Sequence, residues 1–421
     1  MVQSFNDLLD HQKKGIFYFL DKAQGHHLNK LRNKYGISRG RDHGVTRQNI
    51  IDNLITELIP FDEFVDWLCH IHLEGNNTLF VYEPKETKLF DDNPLDDLMT
   101  KSIEKVEQIY NLNPQTLKEI KLVNVYKPDH LNQLIFTLAA PSQLQFKKQG
   151  TNQTELRDDI YLAYIIMDYD LQNFVLMMHP TVNLASIMGE FKGKEWDELT
   201  WIILHYFKEQ IINFELAEPD WLVSALFQIT EEYFYHNNPI VDQKVNKLEK
   251  NVVPEILDLL KKADDIFKKE DSVLRIQRTL KNMFINELVT VHKPIKRKLA
   301  FDIFLQQSDK GVTQFKANSR GQALKYTEAG EIIRLMWENS DIVSLGIIHW
   351  KEDNGINRDY PYIISKTNQY YSLKKRNTAV TEKEVVDSVL RKLDKYKQEV
   401  RPAFDVTLSE ELGYRTNDTE A

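Results

Sequence analysis

The sequence predicts an α+β multidomain chain: a helical N-terminal module, a β-rich middle domain, a helical connector and an α/β C-terminal domain. Three observations carry that reading. At 421 residues the chain exceeds the size at which one hydrophobic core keeps growing, so it must divide. Hydrophobic residues at 42% and charged residues at 28% match an ordinary globular protein. The apolar period is helical up to about residue 75, near two up to about 190, helical again up to about 291, and mixed beyond. The expected segments are therefore 1–75, 76–190, 191–291 and 292–400, with a polar, acidic tail over 401–421 expected to be disordered.

The elements follow in order. Ser4 and Asp7 form a capping pair ahead of a first helix carrying Leu8, Leu9, Ile16, Phe17 and Leu20, which Gly25 ends. Leu28, Leu31 and Tyr35 repeat at three and four residues and predict a short helix over 27–35, stopped at Gly36. Ser38, Gly40, Asp42 and Gly44 belong to a loop, and Thr46 is the expected cap of a helix through Leu58 with Ile50, Ile51 and Leu54 inside. After Pro60, Phe61, Phe64, Val65, Leu68 and Ile71 form another amphipathic helix, closed by Gly75.

Segments 79–83, 119–126, 133–140, 159–170 and 173–179 are rich in β-branched and aromatic residues and predict an antiparallel sheet, interrupted by a helix over 95–111. Helical spacing then runs to about 290. The C-terminal part reads as strands 298–305 and 312–317, a helix 329–339, strands 342–350 and 360–365, and a helix 381–398.

Several function classes are made improbable by what is missing. No run of about 18 apolar residues occurs, and the N-terminus lacks the basic-then-apolar order of a signal peptide, so a cytoplasmic protein with no membrane partner is expected. The single cysteine, Cys69, excludes an internal disulfide or a multi-cysteine zinc module. His70 and His72 lack the i, i+4 spacing of two ligands on one helix face, and His26 and His27 have no partner cluster in sequence. GxxxxGK[ST], GxGxxG and GxSxG motifs are absent. The aromatics Tyr161, Tyr164, Tyr169 and Phe174 are expected to fill a core.

Charge is more informative. The chain carries a net −9, yet residues 26–47 hold Lys30, Arg32, Lys34, Arg39, Arg41 and Arg47 against Asp42 alone, a local +5. Residues 292–326 hold Lys293, Lys296, Arg297, Lys298, Lys310, Lys316, Arg320 and Lys325 against Asp302 and Asp309, a local +6. Two basic islands in an acidic body fit a protein that grips a polyanion at defined places.

The first island, LNKLRNKYGI followed by TRQNIIDNLI, resembles the SAP-type DNA-binding module, two helices around an extended loop. The resemblance covers residues 27–58 and matches at Gly36-Ile37 and at Arg47 ahead of Ile50 and Ile51; the loop is about four residues longer than that family's. It implies that Lys30, Arg32, Lys34, Arg39, Arg41 and Arg47 serve nucleic-acid binding, with Arg39, Arg41 and Arg47 on phosphates. In the second island, Asp302 on one strand and Gln314, Phe315 and Lys316 on the next resemble a degenerate PD-(D/E)xK nuclease core of the Mrr kind, with Glu287 as an additional acid. That resemblance implies Mg²⁺ held by Asp302 and Glu287, with Gln314 and Lys316 completing the catalytic set, because a carboxylate-held metal and an adjacent lysine activate water against a phosphodiester.

Three readings follow: a DNA-binding protein gripping the phosphate backbone, with RNA the less favoured nucleic acid; a Mg²⁺-dependent endonuclease of the restriction or phage-defence kind; or a structural or interaction protein with acidic partners.

Overall fold

A computed structural model describes residues 4–147, 153–191, 196–235, 237–292, 298–309, 314–319, 324, 341–353 and 355–416. No described helix is long and apolar enough to cross a membrane. The chain has the expected α+β architecture and divides into two compact units, residues 1–219 with 367–388, and residues 220–366 with 389–421. The N-terminal helices and the β-rich segment thus share one unit.

The first unit begins with a 3₁₀ turn, Phe5–Asp7, where the Ser4 backbone and hydroxyl donate to the Asp7 carboxylate. Helices α1 (Asp10–Lys22), α2 (Gly25–Lys34), α3 (His43–Ile55) and α4 (Phe61–Cys69) follow. Next come β1 (Thr78–Pro84), α5 (Lys88–Asp92), α6 (Leu95–Ile103), β2 (Lys121–Tyr126), β3 (Gln133–Lys147), β4 (Thr154–Asp168) and β5 (Asn173–Met178). The short strands β6 (Leu184–Ile187) and β7 (Glu190–Phe191), helix α7 (Asp197–Gln210) and strand β8 (Leu216–Ala217) complete the run. The sheet order is Tyr371–Lys375, β1, β5, β4, β3, β6, β7, with β2 also on β3 and β8 on β1, and these pairings are antiparallel.

Both faces of this sheet are covered, which is why its strands read as almost continuous apolar runs. One face presents Phe80, Tyr82, Phe136, Ile165, Phe174 and Leu176 to Leu199, Ile203, Leu204 and Phe207 of α7. Residues of opposite parity, among them Val81, Ile135, Tyr164, Ile166 and Met177, are equally buried on the other face. Each of these side chains contributes about 1.5–3 kcal/mol by leaving water. Tyr161, Tyr164 and Phe174 are therefore core residues, as expected, and Tyr169 is half-buried with its hydroxyl donating to the Asn93 carbonyl.

The second unit contains α8 (Trp221–Phe234), α9 (Pro239–Asn251), α10 (Val253–Ala263), α11 (Glu270–Val291), β9 (Asp302–Asp309), β10 (Gln314–Asn318), β11 (Asp341–Asp353) and β12 (Ile356–Lys366). Its antiparallel strands run β10, β9, β11, β12, and α8 packs on β9 and β11. The helix expected over 329–339 lies outside the described residues.

The helix Lys383–Thr416 is continuous, so 401–416, read from sequence as disordered, is helical. Its earlier turns bury Val389, Leu390, Leu393 and Tyr396, and extending a formed helix adds one hydrogen bond per residue without a new nucleation step.

Candidate nucleic-acid interface

The first basic island folds as the helix, loop and helix that its spacing implies. Helix α2 ends where Gly36 takes a left-handed backbone (φ +64°), and the Ile37 N–H closes onto the Arg32 carbonyl at 2.9 Å. This Schellman ending buries Ile37 and fixes the start of the loop. The other end differs from expectation. Asp42, not Thr46, caps α3, its carboxylate accepting from the Val45 N–H at 2.9 Å, so the helix starts at His43. Thr46 turns its hydroxyl onto the Asp42 carbonyl and accepts from the Gly40 N–H. Gly40 lies so close to α3 that an added Cβ would sit 2.5 Å from the Thr46 nitrogen.

The six basic residues separate into distinct roles. Arg47 points inward: its Nε donates to the Leu20 carbonyl at 3.1 Å, and its terminal nitrogen donates to the carbonyls of Asp21 at 2.8 Å and Ala23 at 3.4 Å. It satisfies the open C-terminal carbonyls of α1, an internal tie that occupies a group which the SAP-type resemblance assigns to phosphate. Arg32 reaches the Ile37 carbonyl at 3.4 Å. Lys30 pairs with Glu74, and Lys34 pairs with Glu63, which also accepts from the Tyr35 hydroxyl. Glu63 holds the Lys34 ammonium above the usual lysine range. Arg41 is 87% exposed with Asp42 at 3.5 Å, and Arg39 is exposed without a partner among the described residues. Asp21, Glu63 and Glu74 each ion-pair with an island cation, which lowers the local charge from +5 to +2.

In the second island, Lys293, Lys296, Arg297, Lys310, Arg320 and Lys325 lie outside the described residues. Asp302 opens β9, half-buried between buried Phe301 and Ile303, and its carboxylate accepts from the Trp350 indole at 2.7 Å. Lys316 is exposed and stands opposite Gln307, and Gln314 stands opposite Asp309. Five residues of strand, roughly 16 Å, therefore separate Asp302 from the position facing Lys316. Glu287 is exposed on α11. Among the described residues no group of three His, Cys, Asp or Glu side chains is placed to hold a metal. The pairing register thus sets Asp302 and Lys316 apart along the hairpin, and the Asp302 carboxylate already accepts from the Trp350 indole.

A polar cluster without any sequence signature appears in the first unit, beside a cavity of about 630 Å³. Asp159 accepts from the Tyr18 hydroxyl at 2.6 Å and from the Lys22 ammonium at 2.7 Å, while Lys22 also donates to the Ile160 carbonyl and Tyr18 accepts from the Ile160 N–H. Burial holds Lys22 below the normal lysine range, outweighing the attraction of Asp159.

Deeper in, Asn77 donates through its amide to the carbonyls of His72 and Leu73, so its oxygen accepts from His179 Nδ1 at 3.1 Å. His179 Nδ1 thus carries the proton, and Nε2 accepts from Gln24 at 2.9 Å. The His72 ring stacks on His179 at 4.6 Å. Burial pushes His179 and His70 down to about 4 and His27 to about 3, which keeps these imidazoles neutral. Tyr18 and Lys22 lie one helical turn apart on α1, and Asp159, which closes the clasp, lies 137 residues beyond Lys22, outside any local spacing.

No protein-family model, curated protein or solved structure matches the chain.

Proposed function

We propose that the chain binds the phosphate backbone of DNA through the loop between α2 and α3, with Arg39 and Arg41 as primary contacts and Lys30 and Lys34 as secondary ones. The observation that carries this reading is two exposed guanidinium groups on a loop anchored at both ends, by the Gly36–Ile37 turn and by the Asp42 cap. Such a loop loses little conformational entropy on binding, and guanidinium is well suited to phosphate. Lys30 and Lys34 sit in surface ion pairs, worth about 0–1 kcal/mol, so a phosphate can displace Glu74 or Glu63 at small cost. Arg47 is assigned to the fold.

The test is binding to a short duplex across a range of salt. Each lost phosphate contact lowers the salt slope by about 0.9. Arg39→Ala with Arg41→Ala should lower it by roughly 2 and weaken binding to different duplex sequences alike. A slope unchanged in that double variant overturns the assignment. RNA duplexes in the same assay decide whether the polymer is read as DNA.

A further inference from the structure

A second cavity of the first unit, about 610 Å³, lies at the start of α7 and is lined by Tyr82, Glu198, Trp201, Asn368, Gln369 and Tyr370, together with Thr200 and Thr367. Its volume is in the range of small-molecule sites. Trp201 is 44% exposed, an uncommon state for an indole, and its ring stacks with His205 at 6.0 Å. Tyr82 of β1 and Tyr370, just before the strand Tyr371–Lys375, form an aromatic wall, their rings 5.2 Å apart.

Four of its polar groups are open: the carboxylate of Glu198, the side-chain amides of Asn368 and Gln369, and the indole N–H of Trp201 have no hydrogen-bond partner among the described residues. The turn carrying the two amides is fixed. Thr367 Oγ1 accepts from the N–H groups of Gln369 and Tyr370 and donates to the Tyr370 carbonyl at 2.9 Å.

From this arrangement we infer that the cavity takes a nucleobase bearing an exocyclic amine, stacked on Trp201. An indole face offers sequence-tolerant stacking to any base. A carboxylate accepts from an exocyclic amine, and Asn or Gln amides pair with adjacent donor and acceptor atoms on a base edge. Among the described residues no cation lines the cavity, and the inferred contacts are to the base. The base comes either from a free nucleotide or from an unpaired position in a strand. The inference does not rest on the α2–α3 loop.

Calorimetric titration of the full chain with AMP, GMP, CMP, UMP and ribose 5-phosphate tests it. CMP, AMP and GMP should bind more tightly than UMP, and ribose 5-phosphate should not bind. Trp201→Ala, an exposed site, should weaken the three by roughly tenfold. Glu198→Gln should close most of the gap between CMP and UMP. Equal binding of ribose 5-phosphate and CMP, or an unchanged affinity in Trp201→Ala, overturns the inference, as does no binding of any base at millimolar concentration. Single-stranded oligonucleotides distinguish the sources: oligo(dC) tighter than CMP in a Trp201-dependent manner assigns the site to strands, and CMP at least as tight assigns it to free nucleotides. These titrations contain no duplex, so they are read independently of the backbone-binding test.

Discussion

Replacing Asp159 with Asn should cost the first unit about 3 kcal/mol. Asp159 and Lys22 have side chains only 10% and 20% exposed, so the pair is largely out of water. In the variant, one amide nitrogen must face either the Lys22 ammonium or the Tyr18 hydroxyl, and in both cases the lysine loses its counter-charge and keeps the Ile160 carbonyl. Stranding a buried charge in this way costs about 3–5 kcal/mol, and the residual exposure of Lys22 places the loss at the low end. Guanidinium denaturation measures it as a lowered midpoint at unchanged slope. Lys22→Met in the same background removes the stranded charge and should recover about 2 kcal/mol of the loss, so the losses of the two single variants do not add. A loss below about 1 kcal/mol in Asp159→Asn, or losses in the double variant that simply add, would refute the view of a buried clasp.

Other substitutions separate fold from function. Arg47→Ala should destabilise by about 1–3 kcal/mol because it leaves α1 carbonyls without their donor, whereas Arg39→Ala and Arg41→Ala should change stability by less than about 0.5 kcal/mol; thermal unfolding compares the three. Gly40→Ala should weaken duplex binding without removing any charge, since the new Cβ would push the loop off Thr46; unchanged affinity would show that loop position is irrelevant. Stability should also fall as pH drops from 6.5 toward 4. His179 stays neutral down to about 4 while the unfolded imidazole takes up its proton near 6.5, so the folded state loses ground as pH falls, by about 2 kcal/mol at pH 5 for one such residue. In His179→Asn, the difference in stability between pH 8 and pH 5 should shrink by about that amount; an unchanged difference contradicts it.

Much of the fold was legible because local chemistry decided it. Gly36 followed by an apolar residue announced the end of α2, and alternating β-branched and aromatic residues announced β1 through β5. The start of α3 was placed four residues late because Asp42 and Thr46 are both good caps, and the choice depends on Thr46 being drawn to the Asp42 carbonyl. Charge patterning located the basic island but not its neutralisation, since Glu63 and Glu74 are distant in sequence from Lys34 and Lys30. Likewise, nothing local tells that Arg47 turns inward to α1, or that Asp302 receives the indole of Trp350. Each of these outcomes is set by a long-range partner, and single-residue spacing carries no record of it.

The central claim, that an anchored loop presents Arg39 and Arg41 to a phosphate backbone, is tested most directly by the salt slope of duplex binding in the wild type and in the Arg39→Ala, Arg41→Ala double variant. A slope of roughly 3–4 that falls by about 2, with no change in thermal stability, is the expected result. Retention of the full slope, or the absence of salt-dependent affinity in the wild type, contradicts it.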